Sequence, residues 1–293
     1  PANMNYLTGY DAWSFYYAQC VLVHINEDEP ICFVRSQDGG GAYIKTYLQD
    51  KNIIEYDEKY IHTWPLHPYQ YLVEIIKKKK WDNLNIGLEM DSHYFTAFCY
   101  ETIKNNLPNA KLKDAERLVN WVRVIKSNKE IKLIQSAARI VENAMKTAFE
   151  SINPGVRQCD AVADIQKALF NGTKEFGGDY PSIATLLPTG KGTSAAHLTH
   201  TDEKFISGEA TIIEIAGAYK RYHCPMARTV LLGEKDQKKI DTMKATNEAL
   251  NAGIEAIKPG NTVDDVAQKF WGVLDKYKIK KESRTGYSIG IGY

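Results

Sequence analysis

The sequence predicts an α+β protein in two successive parts, and three observations carry that prediction. The first roughly 120 residues interleave short β-rich runs with segments of helical length. From Asn128 the pattern changes to long helices broken by Pro-Gly turns. That helix–Pro-Gly–helix unit then occurs a second time at a constant offset of 105 residues. The expected division is residues 1–124 and 125–293, and a chain of 293 residues is long enough for two domains.

In the first part, Val21–Ile25 and Ile31–Arg35 are β-rich and separated by the polar turn Asn26–Pro30, which predicts a hairpin. His67–Lys80 and Asp91–Leu107 have helical length and spacing. Gln37-Asp38-Gly39-Gly40-Gly41 reads as a flexible loop. No Gly-Lys-Ser/Thr follows it, so it gives little support for a phosphate site. The run Lys77–Lys80 follows the apolar stretch Tyr71–Ile76 and reads as a solvated helix end.

In the second part, helices are expected over Lys129–Ser151 and Asp160–Asn171, and again over Asp241–Ala256 and Asp265–Tyr277. Ala144/Ala249, Ile152/Ile257, Pro154/Pro259, Gly155/Gly260 and Asp160/Asp265 coincide at the single offset, which points to an internal duplication. Strand-like segments Ile183–Leu187, Thr211–Ala216 and Ala227–Leu232 lie between the copies. A cleft between two pseudo-symmetric halves is a natural place for a small ligand.

Composition narrows the function classes. The chain is 44% hydrophobic and 25% charged with a net charge of +1, so nothing in its bulk electrostatics calls for a nucleic-acid partner. No apolar run approaches the roughly 20 residues that span a bilayer, and no membrane partner is expected. The five cysteines are scattered, odd in number and without a Cys-x-x-Cys, which suits reduced thiols in a cytoplasmic compartment. Both ends read as cut. Pro1-Ala2-Asn3 has no initiator methionine, and Gly290-Ile291-Gly292-Tyr293 stops inside an alternating, strand-like run.

Several segments resemble a known superfamily. The helices with their two Pro-Gly turns, Gly190–His197 and Ile213–Thr229 are similar to the pita-bread catalytic domain of prolidase, aminopeptidase P and creatinase. The opening Asn5-Tyr6-Leu7-Thr8-Gly9-Tyr10 resembles the start of the creatinase/prolidase N-terminal domain. Within the superfamily, Leu7–Tyr16, Arg221–Thr229 and Gly286–Gly290 resemble the ectoine hydrolases. The resemblance implies a hydrolase of a non-peptide C–N bond in a small cationic or zwitterionic molecule. Opening of a cyclic amidine is its leading form. A metal-dependent Xaa-Pro peptidase is the alternative, with a dimethylsulfoniopropionate lyase, a creatinase or a non-catalytic binding module further off.

Residue by residue, the resemblance argues against a two-metal peptidase centre. Metal ions about 3.5–4 Å apart need bridging carboxylates. The peptidase pattern, counted back from Arg228-Thr229, puts its two aspartates at Glu214 and Pro225, and its Gly-His histidine at Tyr287. Proline offers no ligand atom and tyrosine is a poor substitute for imidazole. No metal or other cofactor is therefore expected.

His197 lies 31 residues before Arg228, the spacing of creatinase's catalytic histidine, and its imidazole suits a proton shuttle; the bland reading is a satisfied loop histidine. Glu214 interrupts an apolar strand, either as a buried ion pair with Arg228 or Arg221 or as a catalytic carboxylate. His223 stands where creatinase has a pocket tyrosine and Ala227 where it has a guanidinium-holding glutamate, so His223 is expected to line the pocket. Arg228 is expected to clamp a substrate carboxylate, or else to anchor the strand. Tyr287 completes the expected substrate contacts. Tyr6, Tyr10, Trp13, Phe15, Tyr16 and Tyr17 form an aromatic-rich opening that reads as core by strand spacing. In creatinase this segment reaches the neighbouring subunit's site, which implies a homodimer here, with Trp13 and Phe15 as substrate contacts across the interface.

Overall fold

The computed structural model describes residues 1–233, 236–281 and 283–292. Two compact units divide the chain, Pro1–Ile125 and Lys126–Tyr293.

In the first unit, helix α1 (Ala2–Thr8) leads into strands β1 (Cys20–Leu22) and β2 (Ile31–Arg35), helix α2 (Ser36–Lys45) and strand β3 (Ile53–Tyr56). The expected hairpin forms: β1 runs antiparallel to β2 with Val21 opposite Cys32. Strand β3 pairs with β2 in parallel, so β2 is central. Its residues Ile31–Val34 are all buried, because Phe33 packs into one apolar cluster and Cys32 and Val34 into another. A strand covered on both faces reads as a continuous apolar run rather than an alternating one.

Helix α3 (Pro68–Lys78) follows, then β4 (Asn85–Leu88), α4 (Ala97–Asn106), β5 (Lys111–Asp114) and α5 (Leu118–Val124). The His67 side chain caps α3, while Lys77 and Lys78 lie exposed in its last turn and complement the negative end of the helix dipole. Helix α4 starts later than its spacing predicts because the Thr96 hydroxyl accepts the Cys99 amide at 3.3 Å and sets the cap there.

One expectation is overturned. The stretch at residues 37–41 is not a flexible loop but the first turns of α2. Gly39 is buried there, and a Cβ on it would collide with the Glu55 carboxylate, so this glycine serves close packing between helix and sheet. The aromatic opening is not a strand either. Tyr10 is core at 2% exposure, but residues 13–17 form turns, and Trp13 and Tyr16 are each 61% exposed.

The second unit opens with α6 (Asn128–Ser151) and α7 (Gln158–Asn171), proceeds to the antiparallel strands β6 (Ala210–Tyr219) and β7 (Tyr222–Leu231), and continues with α8 (Gln237–Glu255) and α9 (Val263–Lys276). All four helices coincide with the expected ones to within a few residues. Gly155 and Gly260, at equivalent points of the two copies, both turn with positive φ, 89° and 94°. Ser127 and Glu130 form a reciprocal cap at the start of α6.

The apolar stripe of α6, including Ile140, Val141, Ala144 and Ala148, packs with α7 and with Ile213 and Ile215 of β6 into the main core. Where α6 crosses β6, a Cβ on Gly217 would strike the Ala137 carbonyl and the Val141 amide, so helix backbone lies directly on strand backbone.

Ile183–Leu187 is not a regular strand. Leu186 and Glu214 exchange two backbone hydrogen bonds of 3.0 Å, and Thr189 bridges Thr211, but the intervening Pro188 can offer no N–H to extend a ladder. On the other edge, Tyr222 bridges Ile291. Of the strand-like run expected at the C-terminal end, Tyr293 lies outside the described residues.

Candidate active site

The β6–β7 ribbon organises the site. Glu214 lies opposite Ala227, Ala216 opposite Pro225, and Ala218 opposite His223. Residues paired directly across strands share a face, and faces alternate along a strand. One face therefore carries Glu214, Ala227, Pro225 and His223, while Ile213 and Ile215 on the other face belong to the core. Pro225 sits two pairs along from Glu214, at the next position on the same face, where a second carboxylate would have to stand to hold two metals between them. Among the described residues no three His, Cys, Asp or Glu side chains converge as a metal-ligand group.

Arg228 falls opposite Ile213, on the other ribbon face from Glu214. It is exposed, and its Nη1 donates to the Ala227 carbonyl at 2.7 Å. The alternation directs its side chain away from Glu214, so the expected Glu214–Arg228 pairing is corrected.

The expectation for His223 also changes. Its ring is 0% exposed. Nε2 accepts the Ser182 amide at 3.0 Å, and Nδ1 donates to the Arg221 carbonyl at 2.8 Å. Both nitrogens are thus committed within the chain, and the ring has no polar atom left for a ligand. Burial, reinforced by the Arg221 charge, pushes its proton affinity down to about 4, so the ring is neutral. His223 also ties down the edge of the ribbon, since its amide donates to the Gly290 carbonyl at 2.8 Å.

Around it a turn is clamped that the motifs do not single out. The Arg221 amide donates to Asp179 Oδ2 at 3.0 Å, and Arg221 Nη1 donates to the Tyr180 carbonyl at 2.7 Å. The guanidinium also lies 3.9 Å from the centre of the Tyr180 ring. Residues 179–182 are therefore fixed against the β6–β7 turn. In the sequence only the Tyr180-Pro181-Ser182 turn signal marks them; their partners lie some 40 positions away.

His197 follows a 3₁₀ turn, Gly190–Ser194, that leads away from the β6 edge. It is exposed, in the left-handed region at φ 62°, and makes no side-chain hydrogen bond among the described residues. Tyr287 is half exposed, lies 5.2 Å from the Arg284 guanidinium, and precedes the Gly290–Ile291 segment on the opposite ribbon edge. In the first unit, Phe15 is half-buried and stacks edge-on with Trp13 at 4.8 Å and Tyr94 at 5.6 Å.

Two helix pairs separated in the chain by an antiparallel ribbon, and preceded by a separate α/β unit, follow the order of the pita-bread hydrolases. The sequence matches the Creatinase/Prolidase N-terminal domain over residues 1–125 and Metallopeptidase family M24 over residues 132–293. The chain belongs to family M24. It is 41% identical over its whole length to the ectoine hydrolase of Halomonas elongata, of which it spans 75%. It is 39% identical, again over its whole length, to an uncharacterised hydrolase/peptidase of Sinorhizobium fredii, spanning 75% of that protein. Recombinant prolidase from Thermococcus sibiricus shares the fold with a TM-score of 0.83 at 18% identity, covering 99% of this chain and 75% of that one.

Proposed function

We propose that this protein opens the ring of ectoine or a close cyclic amidine by hydrolysis. The observation that carries the proposal is the 41% identity, held across both units, to a protein with that activity. The ribbon supports it: Pro225 beside Glu214 suits a family member that does not use two bridged metals.

The chemistry needs few groups. Water oxygen bonds to the carbon between the two ring nitrogens and gives a tetrahedral intermediate. One C–N bond then breaks, the departing nitrogen takes up a proton, and an open acetylated diamino acid remains. His197 supplies that proton and recovers it from the attacking water, as an imidazole can. Glu214 offsets the amidinium charge and orients the water. Tyr287, and Trp13 and Phe15 through a second subunit, are proposed to wall the substrate. The working form is proposed to be a metal-free cytoplasmic homodimer.

The intact enzyme should release the acetylated diamino acid from ectoine in the presence of a chelator, and elemental analysis should find no stoichiometric divalent metal. Two tightly held metals per subunit, with activity lost on chelation and directed at Xaa-Pro dipeptides, would establish the peptidase reading instead.

A further inference from the structure

Tyr287 stands on a segment that is held from two sides. Residues 286–289 belong to no helix or strand, so tethers from elsewhere set where the ring sits. On the ribbon side, the His223 amide donates to the Gly290 carbonyl at 2.8 Å, and Tyr222 bridges Ile291. On the other side is the head of α6. Lys126 Nζ donates to Ser288 Oγ at 2.9 Å. The stem of Lys126 lies along Gly290, where an added Cβ would meet Lys126 Cε at 3.5 Å.

Tyr222 joins the two sides. It pairs with Tyr219, on the ribbon face where Ile213 and Ile215 pack with α6. Its side chain is buried, and its hydroxyl donates to Glu130 Oε1 at 3.0 Å. Glu130 Oε2 is committed to the helix cap, accepting the Ser127 amide at 2.7 Å. One carboxylate thus secures both the first turn of α6 and the end of the ribbon that Ile291 joins. We infer that Tyr222 and Lys126 are positioning residues for Tyr287: one fixes the ribbon edge that the segment joins, the other fixes Ser288 beside the ring.

This inference rests on the hydrolase reading, in which Tyr287 walls the substrate, and the experiment separates the two. Tyr222→Phe keeps the ring and the helix cap but removes the bond to Glu130. Lys126→Met keeps the stem and removes the bond to Ser288, and Lys126→Arg restores a donor. In Tyr222→Phe and Lys126→Met, KM for ectoine should rise roughly 3- to 10-fold, the scale of one lost hydrogen bond, with kcat changing less. Lys126→Arg should return KM toward wild type. Hydrogen exchange at the His223 amide, which donates to Gly290, should quicken in both variants, while the Ile215 amide in the middle of the ribbon keeps its rate. Unchanged exchange at His223, or faster exchange there with KM unchanged, overturns the assignment. So does equal quickening at Ile215, which marks a general loss of stability. Wild-type protein that does not turn over ectoine sinks the hydrolase reading alone, and the positioning role is then decided by exchange at His223 against Ile215.

Discussion

His223 is a pocket residue by position and a structural one by geometry, and its proton affinity makes that difference measurable. An unfolded histidine takes up a proton near pH 6.5, whereas the buried ring does so only at about 4. Between those values the unfolded chain binds a proton that the folded chain refuses, so stability falls as pH falls through the window and levels off below it. The full effect is at most about 3 kcal/mol. Urea unfolding at pH 7 and pH 4.5 should show this loss in wild type and a smaller loss in His223→Asn. Identical losses would mean that His223 titrates freely in the folded protein. The sequence could not reveal this state, because the Ser182 and Arg221 partners that create it converge only when β7 folds against residues 179–182.

At the scale of elements, α6 and β6 decide how the second unit is built. Their backbones touch at Gly217, where neither element can yield by rotating a side chain. Overpacking a core typically costs about 1–3 kcal/mol. Gly217→Val belongs at or beyond the upper end of that range, so its urea midpoint should fall well below that of wild type. A variant of unchanged stability would show that α6 is not seated on this strand. The helices themselves were legible from apolar spacing and from the Pro-Gly turns, which Gly155 and Gly260 make with positive φ. The start of α2, at residues 37–41, was misread for a physical reason: three consecutive glycines suggest a loop, but Gly39 is there to make room for Glu55.

For the whole molecule, the proposed dimer gives the exposed aromatic segment a purpose. Trp13 at 61% exposure and the half-buried Phe15 form part of an apolar surface on the first unit. His197→Ala should lower kcat roughly 10²–10⁴-fold, the usual scale for a general acid–base group. Phe15→Ala should raise KM if it roofs the neighbouring subunit's site. Mixed dimers of the two variants would contain one site lacking both groups and one lacking neither, so activity should recover on mixing. Absence of recovery, with subunit exchange demonstrated and both parents impaired, would return Phe15 to its own subunit.

The alternation of β-rich and helical segments, the duplicated Pro-Gly units and the run from Ile213 to Thr229 were enough to determine the α+β class and the family, because each depends on residues near one another in the chain. The replacement of a ligand position by Pro225 was legible in the same way, being a matter of residue type alone. The two-residue alternation of paired strands then decided that Glu214 and Pro225 share a face while Arg228 belongs to the other, since a shift of one residue reverses a side chain's direction. Tertiary structure alone decided the state of His223. A histidine's tautomer is settled here by the Ser182 amide, 41 residues away in the chain and brought within 3.0 Å by folding.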